Sequence, residues 1–248
     1  MSGHSKWSTI KRKKGAADTK RGQAFTKLAS ALTIAAKEGG GDPESNFALR
    51  LVMDRARAAN MPNANVERAI KRGTGDLAGE TAPEQITYEA FGPGGVALLI
   101  ECLTDNRNRT VSDVRSRVTK RGGSLGETGS VNYLFNTKGV ITLPRATSDP
   151  DAVLETALEA GASEIEVEDE VIEVETNKAS FARVKQALES AGHTVESAEL
   201  AQVAVSSVPV TDKATANALV SLLTELEELD DIVSVSTNAD IEPALIDG

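Results

Sequence analysis

The apolar periodicity of this chain changes at Thr74, and that change constrains the fold more than any single motif. Before it, apolar residues recur at helical spacing; after it, short β-branched runs separated by glycines take over. At 248 residues the length allows one large domain or two to three small ones, with room for an ample core.

In the first part, Phe25, Leu28, Leu32 and Ala35 fall on one helical face, which predicts a helix from about Ala16 to the Gly39-Gly40-Gly41 stop. Asp42 reads as the N-cap of a second helix with Pro43 at its first position, and Phe47, Leu51, Arg55 and Ala58 as one of its faces. Asn60-Met61-Pro62 ends that helix. A third runs from about Asn63 to Arg72, with Val66 and Ile70 inward and Gly73 as its C-terminal cap. Residues 1–75 therefore read as a basic arm plus a small helical domain.

Beyond Thr74, Glu84–Phe91 and Val96–Leu103 read as a hairpin joined at Gly92-Pro93-Gly94-Gly95. Val96–Ile100 is apolar without alternation, as expected of a central strand covered on both faces, with Cys102 packed as a small hydrophobe. A polar loop, Thr104–Arg109, leads to a helix with Val111, Val114 and Val118 on one side, and Gly123–Gly129 reads as a loop to the next strand. Then come strands Val131–Phe135 and Val140–Leu143, helix Pro150–Glu159, strands Glu164–Glu168 and Val171–Glu175, helix Ala179–Ser190 and strand Thr194–Leu200. From the second of these strands the order is a split βαβ. Strand Gln202–Val208, helix Lys213–Leu229 and strand Ile232–Thr237 follow. Residues 84–130 supply only half of a two-layer domain, so the last elements are expected to complete it. The fold class is α+β: a helical domain and then two α/β-sandwich, ferredoxin-like domains, the second inserted in the first. The boundaries are 1–75, then 76–130 with 205–248, with an acidic insertion at 131–204.

Charge is segregated along this order. The chain is formally −10, yet residues 1–75 carry 15 basic and 6 acidic side chains while residues 131–248 are net −17. Between Lys6 and Lys27 the balance is +7. Lys6, Lys11, Arg12, Lys13, Lys14, Lys20, Arg21 and Lys27 thus form a docking surface for a polyanion, most simply the phosphates of DNA or RNA. The bland alternative is a solvated or localisation-type basic tail. Trp7 has two readings, stacking on an unpaired base or packing of the arm on the helices. A second cluster comprises Arg107, Arg109, Arg115, Arg117, Lys120 and Arg121. The Thr104–Thr110 stretch adds amides and arginine forks suited to phosphates and base edges, with Asp105 and Asp113 as competing internal partners.

Catalytic and cofactor chemistry finds no set of residues to carry it. Two histidines, His4 and His193, and the single cysteine assemble no triad, Walker loop or metal-ligand spacing, and His193 reads as a surface residue after a helix-ending glycine. Glu166–Glu170 and Glu225–Asp231 read as solvated acidic faces. The expectations are a non-enzyme with no cofactor, no metal and no evident small-molecule substrate. A single cysteine fits a reducing, cytoplasmic setting, and no apolar run is long enough for a bilayer. The basic, serine-containing start also resembles an organellar transit peptide, but lacks an amphipathic stripe.

Gly3-His4-Ser5-Lys6-Trp7, Asn60-Met61-Pro62 leading to Ile70–Gly75, Tyr88-Glu89 with Phe91–Gly95, Thr104–Thr110, and Gly122–Gly126 with Gly129-Ser130-Val131 together resemble the YebC/PmpR family. Its bacterial members are called probable transcriptional regulatory proteins, and its mitochondrial members translational activators of cytochrome c oxidase. The resemblance implies a cytoplasmic, non-enzymatic, three-domain protein that binds nucleic acid. Some members bind promoter DNA; others act on the ribosome to relieve stalling at proline-rich stretches. The expected activity is DNA-binding transcriptional regulation through the basic arm and first helix, with Arg107 and Arg109 as secondary contacts. The alternative is a ribosome-associated factor using the same arm on ribosomal or transfer RNA.

Overall fold

The computed structural model of the protein describes residues 21–77 and 83–246. Lys6, Trp7, Lys11–Lys14 and Lys20 lie outside the described residues, as does the predicted helix start at Ala16.

Helix α1 (Arg21–Gly39) stops where Gly40 turns left-handed, at φ 85°. The next helix begins later than its proline suggested. Asp42 accepts from the Glu44 amide at 3.0 Å and so caps only a turn. Asn46 is the N-cap of α2 (Phe47–Ala58), accepting from Leu49 N at 3.0 Å. Its amide nitrogen donates to Ala35 O and Gly40 O, both at 2.8 Å, so one buried side chain ties the end of α1 to the start of α2. The face of α2 on the core carries Leu49, Val52, Met53 and Ala56. Arg55 and Ala58, grouped with Phe47 and Leu51 on one face by the sequence, are exposed.

Helix α3 (Asn63–Thr74) passes through Gly73, and Gly75 (φ 82°) is the cap instead. Gly73 serves close approach: a Cβ there would stand 2.3 Å from Thr33 O of α1. Nearby, Thr33 Oγ1 donates to main-chain carbonyls, lying 2.8 Å from Ala29 O and 3.1 Å from Ala69 O. Both α2 and α3 pack mainly on α1, around Leu28, Leu32, Leu49 and Met61.

Strands β1 (Glu84–Phe91) and β2 (Ala97–Thr104) form the expected hairpin, in register from Glu84 opposite Thr104 to Phe91 opposite Ala97. Then follow α4 (Arg107–Lys120) and β3 (Ser124–Leu125). After the excursion described next, the chain adds β8 (Val208–Val210), α7 (Lys213–Glu227), β9 (Ile232–Thr237) and β10 (Ala239–Ile241). The sheet order is β3-β1-β2-β9, with β8 and β10 paired in parallel beside it. Strand β2 is central and covered on both faces. Leu98, Ile100 and Cys102 meet Val114 and Val118 of α4 and the leucines of α7. Ala97 and Leu99 pack with Val131, Phe135 and Ala204.

The excursion contains β4 (Phe135–Pro144), α5 (Pro150–Ala160), β5 (Glu164–Val167), β6 (Val171–Asn177), α6 (Phe181–Ser190) and β7 (Ser197–Ala204). Its order, β5-β6-β4-β7, is that of a split βαβ sheet. By contacts the chain divides into residues 136–203 and the remainder. Its ends meet in the remainder, where Val205 N donates to Leu134 O at 2.8 Å.

Three strand expectations need correction. Asn132–Leu134 is a single 3-10 turn, and β4 is one strand where two were expected. The segment predicted as Gln202–Val208 is broken, because β7 ends at Ala204 and Val208 opens β8. Strand β10 was not foreseen; three residues show too little periodicity to reveal a strand.

Candidate nucleic-acid interface

Of the eleven predicted contacts, Arg21 opens α1, and Lys27, Arg107 and Arg109 are placed with their side chains. The stretch read as a loop to Arg109 is shorter than expected. Thr104 Oγ1 accepts from Asn106 N (2.9 Å), and Asn106 Oδ1 accepts from Arg109 N (3.1 Å), so α4 is capped at Asn106 and starts at Arg107. Arg107 and Arg109 therefore occupy its first turn.

Their surroundings differ. The Arg109 Nη2 group donates to Asp105 Oδ1 (3.0 Å) and to both oxygens of Asp231 (3.2 Å). Asp231 Oδ2 also takes the hydroxyls of Thr110 (2.7 Å) and Thr104 (3.1 Å). Hydrogen bonding to Asp231, then its charge and Asp105, raise the Arg109 guanidinium above its ordinary value. By contrast Arg107 is exposed, and its guanidinium makes no ion pair among the described residues. Its main-chain carbonyl accepts from the Tyr88 hydroxyl at 3.4 Å.

Lys27 reaches the same loop from the other side. Its ammonium donates to Leu229 O at 2.9 Å and to Ile232 O, while Gln23 Nε2 donates to Glu228 O at 3.3 Å. Residues 228–232 are thus gripped by α1 and by α4. Arg121, at the end of α4, is paired with Glu225, whose carboxyl is lowered chiefly by that guanidinium. Asp231 is the residue the sequence reading missed, being counted within a solvated acidic run. The threonines six apart, Thr104 and Thr110, were its available signal, since two buried hydroxyls call for an acceptor.

A second stretch of the same strand pair is also organised. Glu89, at 7% exposure, accepts from the amides of Gly129 (2.6 Å), Val131 (2.6 Å) and Asn132 (2.8 Å), and its carbonyl accepts from Gly126 N (2.8 Å). Burial alone would raise its carboxyl, but those amides outweigh it and hold it below the usual 4.5. The glycine-rich loop is therefore wrapped on an internal anion. Cys102 lies in the core, and burial, followed by the Asp231 charge, pushes its thiol up to about 12. His193 is half-buried, 3.5 Å from the Thr156 hydroxyl. Among the described residues no cluster of three His, Cys, Asp or Glu is placed to hold a metal, and no helix is long and apolar enough to cross a membrane.

Residues 5–76 match the family model described as the TACO1/YebC protein N-terminal domain, and residues 83–239 the one described as the TACO1/YebC second and third domain. A probable transcriptional regulatory protein of Geobacter sulfurreducens is 52% identical over 241 residues, covering 97% of this chain and 96% of its own. One from Geotalea uraniireducens is 50% identical over 247 residues, covering 100% of this chain and 99% of its own. The crystal structure of a conserved hypothetical protein from Aquifex aeolicus superposes with a TM-score of 0.83 at 42% identity, covering 91% of this chain and 92% of that one.

Proposed function

The chain belongs to the TACO1/YebC family, and from that premise we propose that it is a non-enzymatic regulatory protein that binds nucleic acid, with duplex DNA at promoters as the target. The observation that carries this reading is the segregation of charge, +7 between Lys6 and Lys27 on a chain of net −10. The relatives' name, probable transcriptional regulatory protein, points the same way. Lys6, Lys11–Lys14, Lys20 and Arg21 take phosphates, Trp7 lies against a base or the helices, and Arg107 adds a contact from α4. Lys27 and Arg109 serve by holding the 228–232 loop. Anchoring on phosphates positions a protein without reading sequence.

One observation favours a second reading, a translation factor on ribosomal or transfer RNA. Helices α2 and α3 pack on α1 rather than chiefly on each other, which is not the helix-turn-helix pairing that presents a recognition helix to a groove. Crosslinking in cells followed by sequencing of bound nucleic acid decides the matter. Promoter fragments support the first reading; predominant ribosomal RNA overturns it. In vitro, 4–6 neutralised phosphates give a slope of log K against log[salt] of about −4 to −5. Reversal of Lys11–Lys14 to Glu abolishes binding without changing Tm, and a slope near zero for the intact protein refutes phosphate gripping altogether.

A further inference from the structure

Between Arg107 and Arg121 lie six Arg or Lys against one acid, Asp113. The fold sorts them. Arg109 and Arg121 are held by Asp231 and Glu225, whereas Arg107 and Arg115 are exposed and make no ion pair among the described residues. The buried stripe of α4 is Thr110, Val114 and Val118. Its opposite face carries Asn108, Ser112, Arg115, Ser116 and Thr119, all exposed and none acidic. Short hydroxyl and amide side chains there let a bulky polyanion come close to the helix while the arginines reach past it.

The position of α4 relative to the start of α1 is also fixed. Gln23 and Lys27 of α1 hold the carbonyls of Glu228, Leu229 and Ile232, and Arg109 of α4 holds Asp231 in the same loop. The arm joins α1 at Arg21, two residues before Gln23. The first turns of α1 and of α4 therefore flank one five-residue loop.

We propose that the outer face of α4, through Arg115, and the exposed first residue of the helix, Arg107, form the second half of the nucleic-acid surface, both on phosphates of the same DNA duplex that the arm grips. This rests on the DNA reading above. Charge complementarity selects the occupant, together with the nearness of the start of α1, which the basic arm precedes in the sequence. At 14 residues, α4 is about 21 Å long, enough to cross a major groove of about 12 Å and meet the backbones on both sides. Arg107 and Arg115 are two turns apart, about 12 Å along the axis.

The test uses the full chain and fluorescence anisotropy with a fluorescein-labelled mixed-sequence DNA duplex and an RNA hairpin, titrated across salt. Variants are Arg107→Gln with Arg115→Gln, the same pair to Lys, and the Lys11–Lys14 reversal. Losing two phosphate contacts makes the duplex slope shallower by about 1.8, and at 0.15 M salt weakens binding by about 30-fold. The Lys pair keeps the slope, and Tm is unchanged in both. If the Gln pair binds the duplex like the parent while the arm reversal abolishes binding, this inference falls and the arm reading stands. If the Gln pair weakens only the RNA hairpin, the duplex is the wrong occupant and the proposal is overturned. If the parent binds neither probe, both readings fall together.

Discussion

Replacing Glu89 with Gln tests whether the glycine-rich loop is held by an internal anion. In the parent, one carboxylate oxygen takes Gly129 N and the other takes Val131 N and Asn132 N, all within 2.8 Å, at a site 7% exposed. A glutamine keeps its oxygen for the latter pair as neutral bonds and turns its NH2 toward the Gly129 amide, donor against donor. Weakening two charge-assisted bonds and losing the third, at the part-buried Gly129 N–H, less the lower desolvation cost of an amide, amounts to about 2–4 kcal/mol. That corresponds to a Tm lowered by about 5–15 °C. The pH dependence supplies a second readout. Glu89 is depressed in the folded state, so its contribution is complete above the unfolded value near 4.5 and is lost as pH falls through the lower folded value. The gap in Tm between parent and variant should therefore be full at neutral pH and close in acid. Melts from neutral to acidic pH, with amide exchange at Gly129, Val131 and Asn132, measure both effects. A variant within about 0.5 kcal/mol of the parent at neutral pH, which is the ordinary spread of surface substitutions, refutes the reasoning.

Gly73→Ala pushes a Cβ to 2.3 Å from Thr33 O and should cost about 1–3 kcal/mol by chemical denaturation. Gly22→Ala, where a Cβ meets nothing within 4 Å, should instead gain about 0.4–1 kcal/mol. Asp231→Asn removes the charge facing Arg109 and one acceptor for the two threonine hydroxyls. A loss of about 1–3 kcal/mol follows, with faster amide exchange across residues 228–232; unchanged exchange there would dissolve the clamp. Cys102, its thiol pushed up to about 12 and fully enclosed, should resist a thiol reagent at pH 8 until the protein is unfolded. Rapid native labelling would contradict the packing.

The hairpin and its central strand were legible because Val96–Ile100 is apolar without alternation and follows the Gly92-Pro93-Gly94-Gly95 turn, as a doubly covered strand does. Helix α7 and strand β9 were also legible, Ile232–Thr237 to the residue. Failures came where a residue's chemistry admits two positions. Asp42-Pro43 satisfies a helix start and a turn equally, and only the contacts of Asn46 with Ala35 and Gly40 decide between them. Gly73 looked like a cap, because sequence does not distinguish a glycine needed for φ from one needed for closeness. At the candidate interface, clustering found the basic residues but not their occupancy. Arg109 is held by Asp105, which the sequence offered as an internal partner, and by Asp231, which lies 122 positions away in the chain and was not legible there.

The paired carbonyl and amide of Leu134 and Val205 act as a clasp at the neck of residues 136–203. Should that excursion of roughly 70 residues melt, the host would carry a floppy loop whose closure costs only about 4 kcal/mol plus a constant. Heat or a protease could thus ruin the passenger while the host's hairpin stays shut, and losses of passenger and host need not be simultaneous.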